Sequence, residues 1–391
     1  MRLFFLILVP AVFAGCAGGA SPGSPALAGE SDFPGLSARL SEESGFFPSD
    51  NLVSNETSYQ HVLGKMRAMG VAGGAYVGVG PDQNFTYIAA IRPEIAFIID
   101  IRRDNLLHHL LFKAAFQNAR SRVEFISMLT GRPAHEGAPG DLSVDAMVSR
   151  IDAVAADSQY FEKTATRFRD AILSWGMPLT DADLRVVRRI HEAFRRYGLN
   201  LRYAQVPRYP TWRDLILATD LEGNRASYLA SDSAFRFIQS LERRHRIIPV
   251  VGDVAGPHAL AAIGEEIRGR QLSLSALYIS NVEQYLMRGG SFASYAETVQ
   301  TLPWSEQGVI IRSYFGRGAA LLPQSVSGHY STQLLERATD FINQMQMGGY
   351  ASYIDLVTRN ALPLRTGRGS NAPIRIPRPF SGSTPAASWL P

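Results

Sequence analysis

A chain of 391 residues, 46% hydrophobic and 19% charged, has the composition of a globular protein with enough apolar residues for a substantial core. Its formal net charge of +4 comes from scattered basic residues, all but Lys65, Lys113 and Lys163 of the 39 being arginine, which argues against a nucleic-acid-binding face. A single cysteine excludes a disulfide framework, and no internal run approaches the roughly 20 apolar residues of a membrane-spanning helix.

At the N-terminus, Met1-Arg2 supplies a positive start, Leu3 to Phe13 an apolar run, and Ala14-Gly15 small residues ahead of Cys16. That is the build of an export signal, too short to span a bilayer. Phe13-Ala14-Gly15-Cys16 resembles the lipobox of bacterial lipoprotein precursors, with Phe13 where leucine is usual. The resemblance implies that residues 1–16 are a signal peptide with its lipobox. It also implies that Cys16 carries lipid and that this anchor holds the protein to a membrane of the cell envelope. Ala17 in place of an acidic residue points, by the same resemblance, to the outer membrane of a Gram-negative cell. Residues 17–30, rich in Gly, Ala, Ser and Pro, read as a flexible tether.

Residues 31–362 read as one α/β domain. A helical lead-in over 31–70 ends at Gly70, Gly73 and Gly74. Ala75 to Val79 is a short apolar strand, and Gly80-Pro81 opens a helix, because proline fits a first turn. Ile95 to Asp100 is a second buried strand. Leu106 to Leu129 is apolar at helical spacing. Leu184, Val187, Ile190, Phe194 and Tyr197 form one stripe behind a Thr180-x-x-Asp183 cap. Because the third strand begins only at Ile247, most of 130–245 is expected to be a helical insertion over the mouth of the sheet. Strand and helix then alternate: Ile247 to Asp253, Pro257 to Arg268, Leu274 to Ser280, Ser291 to Gln300 and Val309 to Phe315. Such alternation gives a doubly wound, mostly parallel, Rossmann-like sheet. Residues 331–358 add one or two helices, no antiparallel hairpin is evident after Phe315, and residues 363–391 read as a disordered tail.

Ligands of doubly wound sheets sit outside the carboxyl ends of the strands. Gly78-Val79-Gly80-Pro81-Asp82-Gln83-Asn84 follows the first strand, Asp100 ends the second 20 residues after Gly80, Asp253 ends the third, and Ser280-Asn281-Val282-Glu283 ends the fourth. The spacing suits glycines that let a ligand approach the backbone and an acid that accepts from ribose hydroxyls. Each landmark also has a plain alternative: a tight turn for the glycines, a helix cap for Asp100. Gln83 stands where a dinucleotide fingerprint has its third glycine, which argues against NAD. Phe46, Phe47, Phe85 and Tyr87 fit either core or a ligand platform. His108-His109 and His191-Glu192 lack zinc-site spacing, so no metal is expected.

Val77-Gly78-Val79-Gly80, Asp100 and Asp253 resemble the cofactor landmarks of class I S-adenosylmethionine-dependent methyltransferases. With Asn51-Leu52-Val53-Ser54-Asn55-Glu56, Asn84-Phe85-Thr86-Tyr87 and Asp100-Ile101-Arg102-Arg103, the pattern looks like that of uncharacterised bacterial proteins with this fold. The resemblance implies S-adenosylmethionine or a related nucleoside as ligand. Gly78 and Gly80 would then face the methionine part, Asp100 the ribose and Asp253 the adenine, with Asn84 also among the cofactor-binding residues. Asn281 and Glu283 occupy the place of the usual catalytic residues without matching them. Two readings therefore stand: a small-molecule methyltransferase, or a non-catalytic surface lipoprotein using the domain as a binding or scaffold module.

Overall fold

The computed structural model of the protein describes residues 32–134, 142–315 and 322–365. Cys16, the tether and nearly all of the tail lie outside them. Fifteen helices are found among these residues: α1 (Phe33–Leu40), α2 (Leu63–Ala68), α3 (Gln83–Ile91), α4 (Arg103–Asn118), α5 (Arg122–Thr130), α6 (Val144–Asp152), α7 (Ser158–Ser174), α8 (Asp181–Tyr197), α9 (Trp212–Ile216), α10 (Asp232–Arg243), α11 (Ala259–Gly269), α12 (Val282–Gly289), α13 (Phe292–Thr301), α14 (Ala338–Gln346) and α15 (Tyr353–Thr358). Six strands form one sheet: β1 (Ala75–Val79), β2 (Ile95–Asp100), β3 (Ile247–Val251), β4 (Leu274–Ser280), β5 (Trp304–Phe315) and β6 (Ser331–Arg337). None of the described helices is long and apolar enough to cross a membrane.

The strand order is β3-β2-β1-β4-β5-β6, parallel throughout except for antiparallel β6. Every residue of β1 and β3 is buried, so these strands read as unbroken apolar runs rather than as an alternation. α10 packs on both α3 and α4, and α13 packs on both α11 and α12, so the crossover helices form two groups about the sheet. The winding direction reverses between β1 and β4, and the carboxyl ends of β1 to β4 meet along one edge there.

Two expectations are corrected. After Phe315 the chain turns back as β6, the antiparallel partner of β5, where the sequence reading expected helix. Ser331, Thr332, Gln333 and Glu336 gave no strand signal because they are polar, yet all four are buried against other polar side chains. The helical insertion, in turn, does not sit chiefly over the mouth. α7 and α8 pack on α4, whose residues Asn105 to Phe116 are all buried between them and the sheet. α4 is mostly apolar, and its buried Lys113 is paired with Glu242 on α10, so the helix is covered on every side. Phe168, Ile172, Val187, Ile190 and Phe194 accordingly join the same core as β1 and β2. Among the described residues of the insertion, only the loop between Arg202 and Thr211 lines the mouth, through Tyr203 and Tyr209. It is pinned by a β-bridge between those two residues and by the Arg202 guanidinium on the Pro207 and Tyr209 carbonyls.

The lead-in is less helical than expected. Between α1 and α2 it drapes over the carboxyl edge, Glu42 N bonding to Val251 O at 2.8 Å and Gly45 N to Ile101 O at 2.8 Å. The Glu42 carboxylate also accepts the His258 and Ala259 amides, occupying the N-terminus of α11.

Candidate functional site

A cavity of about 390 Å³ opens at the carboxyl ends of β1 to β4, roofed by residues of the lead-in and of the 203–209 loop. It brings together four of the residues singled out in the sequence, Gly80, Asp100, Asp253 and Asn281, from four different strand ends. Gly80 has φ +83°, which favours glycine, and a Cβ there would make only ordinary contacts, Asn51 Nδ2 at 3.6 Å and Gln83 Nε2 at 3.7 Å. Asp100 is not a bare acid. Oδ1 accepts the Arg102 amide at 2.9 Å and Nε at 3.1 Å, and Oδ2 accepts Nη2 at 3.1 Å. Asp253 Oδ1 accepts the Ala255 amide at 2.9 Å, shaping the turn after β3.

Gly78, Asn84 and Glu283 lie outside the cavity. A Cβ on Gly78 would fall 2.0 Å from Asn84 Oδ1, so its glycine serves close packing beneath the loop. Asn84 is fully buried. Its Nδ2 donates to the Val79, Gly80 and Pro81 carbonyls at 2.9, 3.3 and 2.7 Å, and its Oδ1 accepts Tyr76 OH at 2.8 Å. His109 adds a bond from Nε2 to Gly80 O at 2.9 Å, and burial pushes its imidazole pKa down to about 4, leaving it neutral. Glu283 is fully buried in an ion pair with Arg312, which also holds Glu336. It builds the fold beneath α12. His108 and His191 are likewise core residues, as are Phe85 and Tyr87, whereas Phe46 and Phe47 line the cavity.

The site also contains residues that the sequence reading quoted only within motifs and gave no individual binding role. Glu56, from the lead-in, is 1% exposed and lines the cavity floor. Its Oε1 accepts Tyr278 OH at 2.6 Å and Ser280 Oγ at 2.5 Å, and Tyr278 OH accepts Gln83 Nε2 at 2.9 Å. Burial raises the Glu56 carboxyl above its usual range, against the pull of the Ser280 and Tyr278 hydroxyls. Among the described residues, Glu56 Oε2 and Gln83 Oε1 have no hydrogen-bond partner. Ser280 (φ +53°) and Asn51 (φ +48°), both lining the cavity, occupy the left-handed region without being glycine. Such strain gathers at functional sites. The available sequence signal was Gln83 itself, an amide at the start of a helix where a fingerprint glycine was expected.

Over residues 51–138 and 146–363 the sequence matches a family described as a domain of unknown function, DUF7790. No curated protein matches it significantly. Since that match spans most of its length, the chain belongs to the DUF7790 family.

Proposed function

We propose that the domain is methyltransferase-like, taking S-adenosylmethionine or a related nucleoside in the cavity, in a protein anchored to the cell envelope through a lipidated Cys16. The observation that carries this reading is a cavity of small-molecule size at the point where the sheet reverses direction, flanked by Gly80, Asp100 and Asp253. Gly80 lets a ligand reach the backbone, Asp100 stands where ribose hydroxyls would be accepted, and Asp253 suits an adenine amino group. Bound there, S-adenosylmethionine supplies a methyl group on a sulfonium. The chain's own part is alignment, which accounts for much of the acceleration in such transfers.

Calorimetric titration with S-adenosylmethionine, its demethylated product and NAD tests the reading. The first two should bind and NAD should not. Asp100→Asn should weaken binding about ten- to a hundredfold, the loss expected for hydrogen bonds to a charged group. For the anchor, Cys16→Ser should block processing and move the protein out of the detergent phase. A second reading, a non-catalytic binding or scaffold module, is favoured by the three hydrogen bonds that Arg102 already donates to Asp100. A folded wild type that binds none of the three compounds would establish it instead.

A further inference from the structure

Among the described residues, the charged ones lining the cavity are Glu56, Asp100, Asp253 and Arg102. Arg102, the one base among them, is committed: besides Asp100, it donates through Nη1 to the Ser49 and Asp50 carbonyls at 2.5 and 3.0 Å. The lining that remains is negative and rich in acceptors. Among the described lining residues, Glu56 Oε2 and Gln83 Oε1 are buried acceptors with no hydrogen-bond partner. Ser313 and Gln333 also approach Glu56 and favour its charged form; Ser313 Oγ donates to Gln333 Oε1 at 3.0 Å, and Gln333 Nε2 gives one of its two N–H groups to Tyr87 OH at 2.9 Å. Buried acceptors left bare are costly, and a ligand that brings N–H donors relieves the cost. An anion or a phosphate would instead meet like charge.

Above this floor the mouth is aromatic. Phe47 meets Tyr285 edge-on with ring centroids 5.5 Å apart, Tyr203 meets Tyr209 at 5.3 Å, and Tyr209 meets Tyr330 at 5.8 Å. Tyr285 is 47% exposed and Tyr330 38%, which leaves ring surface accessible at the mouth. Aromatic faces attract both flat rings and cations.

We propose that the part of the cavity at the carboxyl end of β4 recognises an amine, its ammonium group held by Glu56 and Gln83 and its flat apolar body held by the tyrosine rim. This rests on the cavity being the ligand site proposed above, and it names the class of the second ligand, the one that would meet the cofactor.

The full chain can be titrated by NMR with 2-phenylethylamine, the neutral 2-phenylethanol and the anionic 3-phenylpropionate, each with and without saturating S-adenosylmethionine. The amine should bind at least tenfold more tightly than the alcohol, the carboxylate should not bind, and saturating S-adenosylmethionine should leave amine binding in place. Glu56→Gln should erase the preference for amine over alcohol. Tyr285→Ala, a change at the exposed rim, should weaken amine and alcohol alike by threefold or more. Equal binding of amine and alcohol, binding of the carboxylate, an intact preference in Glu56→Gln, or no amine binding would overturn the proposal. Displacement of the amine by S-adenosylmethionine would overturn it too, by giving the floor to the cofactor. If the amine binds and S-adenosylmethionine does not, the cofactor reading fails alone; the reverse result fails this proposal alone. Should Glu56→Gln not fold, the three wild-type titrations and Tyr285→Ala still decide.

Discussion

Two stretches of the sheet's carboxyl edge treat their polar groups in opposite ways. In the loop after β1, Asn84 spends its amide on four partners inside the loop and strand, and His109 takes the Gly80 carbonyl from behind. At the end of β4, a buried carboxylate and a buried amide each keep one acceptor with no partner among the described residues. Both stretches are buried and both are polar. The difference is closure at the cavity: the Asn84 amide is fully used, with only His109 Nδ1 behind it lacking a partner among the described residues, whereas Glu56 and Gln83 each keep a bare acceptor in residues that line the cavity. Sequence ranks Asn84 and Glu56 alike, as polar residues in polar loops, and only the partner list separates the residue that builds from the residue that waits. Buried polar groups carry high stakes in either case, since an incomplete network costs more than an apolar one.

The comparison can be broken by removing a group from each side. The largest effect is expected in a closed network, the ion triad that holds Glu283. Arg312→Met leaves Glu283 and Glu336 buried without a counter-charge, and breaking a buried pair in this way costs about 3–5 kcal/mol. Denaturant melts measure it; a loss below 1 kcal/mol would mean that the triad is hydrated and Glu283 available for chemistry.

Asp82 comes next. It accepts Trp212 Nε1 at 2.8 Å and Tyr228 OH at 3.1 Å, tying the insertion to the glycine loop, and burial pushes its pKa up from 3.8 to about 6. A carboxyl whose folded value is raised contributes stability that is complete below pH 3.8 and lost as the pH rises through about 6. An asparagine at this position would not titrate. Relative to wild type, Asp82→Asn should therefore gain on the order of 3 kcal/mol between pH 4 and pH 7. Parallel melting curves for the two proteins across that range would deny Asp82 its raised value.

How much of this was legible follows the same division. β1, β2 and β4 could be read because strands buried on both faces must be apolar throughout, and a strand end is where a ligand is sought; hence Gly80, Asp100, Asp253 and Asn281 could be named. β6 could not be read, because its buried side chains face Ser58, Ser313 and Arg312, and polar groups buried by one another leave no hydrophobic period. Glu56 escaped for a related reason. It lies in an irregular segment, and its partners Tyr278 and Ser280 are 222 and 224 residues away. The insertion was legible as helices but not in its placement, which depends on the outward face of α4, a tertiary fact.

The two loop glycines sharpen the comparison further. Gly78→Ala places a Cβ 2.0 Å from Asn84 Oδ1 and 2.5 Å from Tyr76 OH, so overpacking should cost about 2–3 kcal/mol. Gly80→Ala meets no clash but must hold φ at +83°, a strain of about 1–2 kcal/mol. The first should lower stability most, while the second should impair ligand binding out of proportion to its melt. Equal losses of binding per kcal/mol of stability would show that the two glycines do the same work.

The smallest effect on stability, and the most telling, is expected for Glu56→Gln. The substitution keeps an oxygen that can accept from Tyr278 and Ser280 and removes a carboxyl whose ionisation burial opposes. A raised folded pKa means that wild-type Glu56 lowers stability as the pH climbs through that value, whereas glutamine is indifferent. At neutral pH the variant should therefore melt slightly higher than wild type, by less than about 1 kcal/mol, the scale of one hydrogen bond. Below the ordinary glutamate range that advantage should vanish, because both side chains are then neutral in the folded and unfolded chain alike. A closed network would respond the other way, losing stability at every pH when a member is changed. Melting curves of the two proteins at pH 7 and pH 4 separate the cases: a variant less stable than wild type at pH 7 would place Glu56 with Asn84, among the residues that hold the fold together.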